Sequence, residues 1–181
     1  MSDQPALKLT RRELDGIAFH LVETGVDALV ECRVQGIETK HGRREVINSV
    51  VGSNKAKALR DWKLEVAETI RKSRRFETGP IPAVLSIAFL MCSENHGNRE
   101  YDIENFVKPV IDGIAMGLWG DLDAVRNDSS VRFDADDSVF RSLYFEDCPV
   151  ESPNAEGVYI AVFPLDGGNV TASEEAKDAK S

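Results

Sequence analysis

The stretch that decides the fold is Gly79-Pro-Ile-Pro-Ala-Val-Leu-Ser-Ile-Ala-Phe-Leu-Met-Cys92. Gly79, Pro80 and Pro82 break any helix that precedes them, and the apolar run Ala83 to Cys92 then reads as a buried central strand. Upstream, Leu59, Trp62, Val66 and Ile70 form one apolar stripe at helical spacing, and Ser53 is a good N-cap, so a helix is expected from there to about Arg74. Lys55, Lys57, Arg60, Lys63, Arg71 and Lys72 fall largely off that stripe and make a basic face. Ala28 to Gly36 is rich in β-branched residues and reads as a strand. A polar stretch with Lys40, His41, Gly42, Arg43 and Arg44 follows, then a short apolar run, Val46 to Val51. Thr10-Arg-Arg-Glu13 matches a capping box, and Leu14, Ile17, Ala18, Leu21 and Val22 predict a first helix over 11–22. Downstream, Val139 to Phe145 and Val158 to Phe163 are strand candidates.

These elements predict an α/β (α+β) fold: one compact domain with a mixed sheet of about four strands and two to three helices. The expected organisation is an N-terminal extension over 1–25, a domain over 26–165 and a disordered acidic tail over 166–181, where apolar residues almost vanish. A chain of 181 residues suits one core. Apolar residues at 42% and charged ones at 29% exclude a fibrous or wholly disordered chain. No apolar run approaches the roughly 20 residues that cross a bilayer. The N-terminus MSDQPALKLTRRELDG lacks the apolar centre of a signal peptide, so a cytoplasmic location is expected. Cys32, Cys92 and Cys148 are widely spaced, as are His20, His41 and His96, which argues against a structural zinc site.

The net charge of −9 argues against a generally basic nucleic-acid binder, but it hides a polarity. Residues 33–75 hold 12 Lys or Arg against 5 Asp or Glu, whereas residues 94–181 hold 7 against 19. Such a division suits a protein that grips an anion with one surface and gathers carboxylates at another.

The carboxylates are most pointed in Arg99-Glu-Tyr-Asp102-Ile-Glu104-Asn105-Phe-Val-Lys108-Pro-Val-Ile-Asp112-Gly. Pro109 cannot sit deep inside a helix, so a helix is expected to begin near Phe106 with Asn105 as its cap. Asp102 and Glu104 then lie in the extended entry, pointing to one side, and Asn105, Lys108 and Asp112 continue that polar stripe opposite Phe106, Val107, Val110, Ile111 and Ile114. Two carboxylates about 4 Å apart repel by roughly 4 kcal/mol at an effective dielectric near 20. If they converge, a cation must join them, and Mg²⁺ suits hard oxygen ligands while leaving room for water and a phosphate. Asp134-Ala-Asp136-Asp137 forms a second acidic cluster before a strand and is placed to close such a site. A calcium loop is the rival reading here and for Asp121, Asp123 and Asp128, but both stretches lack the Gly and Glu an EF-hand needs.

In this order of motifs the chain resembles the RusA-type Holliday junction resolvases (crossover junction endodeoxyribonucleases). That family carries Asp-x-Asp-Asn, a Lys three residues after the Asn, an Asp four residues later, and an Asp pair before a strand. The matching positions are Asp102, Glu104, Asn105, Lys108, Asp112, Asp136 and Asp137, and the resemblance covers roughly residues 28–165. Glu104 stands where the family usually has Asp. The link from Gly117 to Asp134 is longer than the family's, and Asp121 with Asp123 offers a competing match for the Asp pair; the strand after Asp137 favours the later one.

The resemblance implies a Mg²⁺-dependent endonuclease of DNA recombination and repair, with Mn²⁺ as an alternative ion, working as a homodimer that nicks two opposed strands of a four-way junction. It implies metal ligation by Asp102, Glu104 and Asp137 with help from Asp136, and contact of Lys108 with the scissile phosphate. Arg43, Arg44, Lys55, Lys57, Arg60, Lys63, Arg99 and Asn105 are the expected DNA contacts. Trp62 and Trp119, set among apolar neighbours, are expected in the core rather than against bases. Two rival functions are a catalytically inactive DNA or protein binding module on the same fold, and a metal-dependent phosphohydrolase of a small molecule.

Overall fold

The computed structural model describes residues 27–49, 56–97, 102–133 and 135–165. The expected helix over 11–22, the cap at Ser53 and the tail from 166 lie outside the described residues, as do Lys55 and Arg99. In chain order the elements are β1 (Val30–Gln35), β2 (Ile37–Glu38), β3 (Arg44–Glu45), α1 (Ala56–Ser73), β4 (Ala83–Met91), α2 (Glu104–Trp119), α3 (Leu122–Asn127), β5 (Phe140–Pro149) and β6 (Gly157–Pro164). Single 3₁₀ turns stand at Ser93–His96 and Pro153–Ala155.

The expected α/β fold is what the chain adopts: among the described residues, a mixed four-stranded sheet in the order β1-β6-β4-β5 is packed with three helices. β4 lies second from one edge, antiparallel to β6 and parallel to β5. A parallel neighbour needs a crossover, and α2 with α3 supplies it. The near-continuous apolar sequence of β4 reflects burial on both sides, Ser86 alone being half-buried. On one face Leu85, Ile87, Phe89 and Met91 join Trp62, Val66 and Ile70 of α1 and Phe106, Val110 and Ile114 of α2 in the main core. Among the described residues no helix is long and apolar enough to cross a membrane.

Three local expectations change. The polar stretch after β1 is a small antiparallel hairpin, β2 with β3, whose turn bonds Thr39 N–H to the Arg43 carbonyl and places Gly42 at φ 70°; that left-handed conformation is what glycine permits at low cost. β5 runs on to Pro149 because β4 offers partners along its whole length, up to Met91. The link after α2 contains α3, capped by the Asp121 side chain on the Ala124 N–H at 3.0 Å.

α1 and α2 approach closely at two glycines. A Cβ on Gly113 would lie 2.7 Å from Val66 Cβ, and one on Gly117 would lie 2.6 Å from the Ala67 carbonyl oxygen. Backbone cannot move aside as a side-chain tip can, so Gly117→Ala is expected to push the helices apart and cost about 1–3 kcal/mol, the usual range for overpacking. Urea unfolding measures it; an unchanged midpoint would mean that the helix pair slides freely.

Candidate active site

α2 begins two residues earlier than its proline suggests. Helical geometry starts by Glu104, and the Asp102 carboxylate accepts the Glu104 N–H at 3.1 Å, so Asp102 caps the first turn rather than Asn105. Pro109 sits inside the helix and leaves the Asn105 carbonyl without its usual donor. That oxygen instead accepts the Ser49 N–H at 2.7 Å, which ties the strap before α1 to the head of α2. Asp102 and Glu104 are both exposed, one as cap and one in the first turn, not as alternate residues of an extended strand.

Glu104, Lys108 and Asp112 follow at four-residue steps on one face of α2. The Lys108 ammonium contacts Asp137, which lies 29 residues away, and reaches Asp112 Oδ1 at 2.7 Å. Asp112 is nearly buried and is held from its other side by Lys63 Nζ of α1 at 2.6 Å. The result is an alternating chain, Lys63, Asp112, Lys108, Asp137, running from between the helices to the surface. Phe133 covers its inner end, with Lys63 and Arg60 each 5.6 Å from its ring centre.

Burial by itself would lower the Lys108 pKa, but hydrogen bonds to Asp112 and Asp137 and the fields of both carboxylates outweigh it, and the pKa is raised. A raised folded-state value means that the stabilisation from this lysine is complete at neutral pH. It is lost only as pH climbs past the ordinary lysine value of about 10.4 and through the folded one. Lys108→Met should therefore abolish whatever part of the alkaline fall in stability lies there, read from melting curves at several pH values.

Asp136 does not turn toward Lys108. Its side chain accepts the Ser138 N–H at 2.9 Å, shaping the turn into β5, and the bonds from Ser138 hold its carboxyl below the usual carboxylate range. Asp121 is the α3 cap, Asp123 pairs with Arg126 at 2.9 Å, and Asp128 binds Ser130, so the competing acidic pair is engaged locally.

The basic face of α1 is divided. Arg60 donates to the carbonyls of Val125, Asp128 and Val131, around the end of α3. Arg71 donates to Met116, Gly117 and Gly120 at the end of α2. Carbonyls at a helix C-terminus lack intrahelical donors and carry partial negative charge, which is why guanidinium groups settle there. With Lys63 on Asp112, Lys57 remains exposed, paired with Asp61 at 2.5 Å. Arg43 is exposed on the hairpin turn, and half-exposed Arg44 sits 3.8 Å from Glu38. Trp62 is fully buried and Trp119 packs on Phe140, so Trp62 is unavailable to bases.

The sequence reading assigned nothing to Glu156, yet it is a fully buried carboxylate. One oxygen accepts the Val46 N–H at 2.8 Å and meets His96 Nε2 at 3.0 Å; the other accepts Cys92 N–H at 3.0 Å and Asn95 Nδ2 at 2.9 Å. His96 also stands edge-on to Phe106 in the first turns of α2. Glu156 thus joins the strap before α1, the end of β4 and the head of β6 beside the acidic helix start. Only its position just before a strand marks it in sequence, and that signal is common to many surface acids.

Among the described residues no three His, Cys, Asp or Glu side chains stand close enough to hold a metal ion. Of the three expected ligands, the Asp102 carboxylate accepts the Glu104 N–H at the head of the helix, and the cation that Asp137 meets is the Lys108 ammonium. The donor chemistry still suits a hard divalent ion, since all three are oxygen ligands and the Asp137 side chain is 39% exposed. No protein family, curated protein or solved structure matches the chain.

Proposed function

We propose that this chain is a Mg²⁺-dependent endonuclease that nicks opposed strands of four-way DNA junctions as a homodimer. The observation that carries the reading is the meeting of Lys108 with Asp137, which brings the second acidic cluster to the helix face that bears Glu104. In this reading Asp102, Glu104 and Asp137 hold the ion, which when bound polarises the phosphodiester and activates water. Lys108 supplies fixed positive charge to a phosphate oxygen as charge builds there. Asp112 and Lys63 keep Lys108 in place, while Asp136 sets the turn that presents Asp137. Lys57, Arg43 and Arg44, with Lys55 and Arg99, contact the DNA backbone.

The test is a nicking assay on a synthetic four-way junction, with and without Mg²⁺ or Mn²⁺, beside a linear duplex. Paired nicks in the junction that need the ion are expected, with the linear duplex intact; no cleavage with either ion overturns the reading. Junction binding without cleavage would instead favour a catalytically inactive binding module. Binding should weaken steeply with added salt as lysine and arginine displace phosphate counterions. A flat response in a filter-binding titration would point away from nucleic acid altogether.

A further inference from the structure

The sheet has two faces, and the described helices occupy one. α1 and α2 meet Leu85, Ile87, Phe89 and Met91 in the main core, and α3 packs on Ala67 of α1 and Met116 of α2. The other face carries Val84, Ser86 and Ala88 of β4 beside Phe163, Ala161 and Tyr159 of β6, paired in that order. Among the described residues no helix joins this second face: Ala28, Ala161 and Phe163 form a cluster without a helical member. Yet Phe163 is 1% exposed, Val84 2%, Ala161 4% and Ala88 5%. Neighbouring strands cover the flanks of a side chain on a sheet but not its tip, so burial this complete calls for a second layer.

The chain itself contains a fitting layer. Sixteen residues follow Leu165, and Val170 is the only apolar one among them larger than alanine. Twenty-six residues precede Asp27, and they hold the stripe of Leu14, Ile17, Ala18, Leu21 and Val22 at helical spacing. The described chain also starts on the second face, where Ala28 clusters with Ala161 and Phe163. Residues 23–27 span at most about 18 Å, so they keep Val22 close to that entry point. A helix over 11–22 is about 18 Å long, enough to cross four strands that together are about 14 Å wide. We propose that residues 11–22 dock on the second face as an amphipathic helix, laying Leu14, Ile17, Ala18, Leu21 and Val22 on Val84, Ala88, Ala161 and Phe163. The small side chains of Ser86, Ala88 and Ala161 leave the middle of the face shallow, so the helix can approach closely. The extension is then the third layer of the domain rather than an arm of its own, and His20, opposite the stripe, faces solvent. This stands apart from the nuclease reading, because the head of α2 lies on the other face of the sheet and a chain that cleaves nothing would keep the layer.

The test reads access to the covered face in the full chain. In a Cys148→Ser background, where Cys32 and Cys92 are buried, the thiol placed by Ala161→Cys is expected to react slowly with a maleimide. Adding Ile17→Asp should raise that rate at least about tenfold, because withdrawing one large apolar side chain from burial shifts the docking equilibrium by at least that factor. It should also lower the urea midpoint. Adding His20→Asp should change neither quantity. Fluorescence of Trp62, fully buried in the main core, reports that the rest of the fold persists. If Ile17→Asp disturbs that signal, Ile17→Ala makes the same comparison with a smaller rise in rate. A fast-reacting thiol in the chain without changes at 17 and 20, or a slow one indifferent to both Ile17 variants, would overturn the proposal. So would protection that is lost on dilution, which would give the face to a second copy.

Discussion

Asp102→Asn is expected to lower the rate of junction nicking by at least about 100-fold while leaving junction binding and stability close to those of the parent. The separation follows from what Asp102 does in the fold. Its carboxylate accepts the Glu104 N–H at the head of α2, and asparagine caps a helix about as well as aspartate. The helix start, and with it Lys108 and Asp137, should stay in place. On the proposed reading, what is lost is one anionic oxygen ligand of the metal ion. Groups that merely orient a metal's ligands cost about 10- to 100-fold when removed, so a direct ligand should cost at least the upper figure. Single-turnover nicking and a mobility-shift titration on the same junction read the two quantities separately. Undiminished nicking would remove Asp102 from the metal site.

Glu156→Ala is expected to cost about 3–5 kcal/mol, the scale for breaking a buried charged network from one side. The carboxylate is inaccessible to water and faces the Val46 and Cys92 N–H groups, Asn95 and His96. Alanine would leave the Val46 and Cys92 N–H groups without their acceptor, remove one partner of Asn95 and of His96, and open a cavity. Each orphaned buried donor carries a penalty of about 1–3 kcal/mol, so partial relaxation still leaves a large loss. Glu156→Gln keeps the shape and one accepting oxygen and should fall between. Urea unfolding monitored by tryptophan fluorescence measures both variants. A loss under about 1 kcal/mol for the alanine variant would mean that water replaces the carboxylate.

The two expectations concern different properties of one region. Glu156, His96 and the bond from Ser49 to the Asn105 carbonyl brace the head of α2 from behind. Asp102 and Glu104 stand exposed at that head. Loss of the brace should weaken folding first and chemistry through it, whereas loss of Asp102 should act on chemistry alone.

Much of the architecture was readable from local pattern. Val30–Gln35, Ala83–Met91 and Gly157–Pro164 lie where β-branched and apolar runs predict strands, and α1 presents Trp62, Val66 and Ile70 to the core as its spacing requires. α2 starts earlier than Pro109 predicts, because a proline without a substitute donor for the carbonyl four residues back belongs in the first turn. Tertiary structure supplies a substitute donor from Ser49, and with it the proline is tolerated in the second turn. The hairpin of β2 and β3 carries no alternation long enough to read, and it is ordered by its turn and by Asn95 Nδ2 bonding the Arg44 carbonyl at 2.7 Å.

The amino-acid order alone determined which segments are helix and strand and that acids cluster around Lys108, because hydrophobic periodicity is written within a few residues. Only the folded chain decided which charges meet. Arg60 and Arg71 look like parts of a basic surface in sequence, but long flexible stems carry their guanidinium groups to carbonyl-rich helix ends. Lys108 finds Asp137, Lys63 finds Asp112, and Glu156 finds its four donors across 29 to 110 positions of chain. Charge attraction depends on distance in space and leaves no period in sequence, so these partners appear only once the sheet and helices have brought them together.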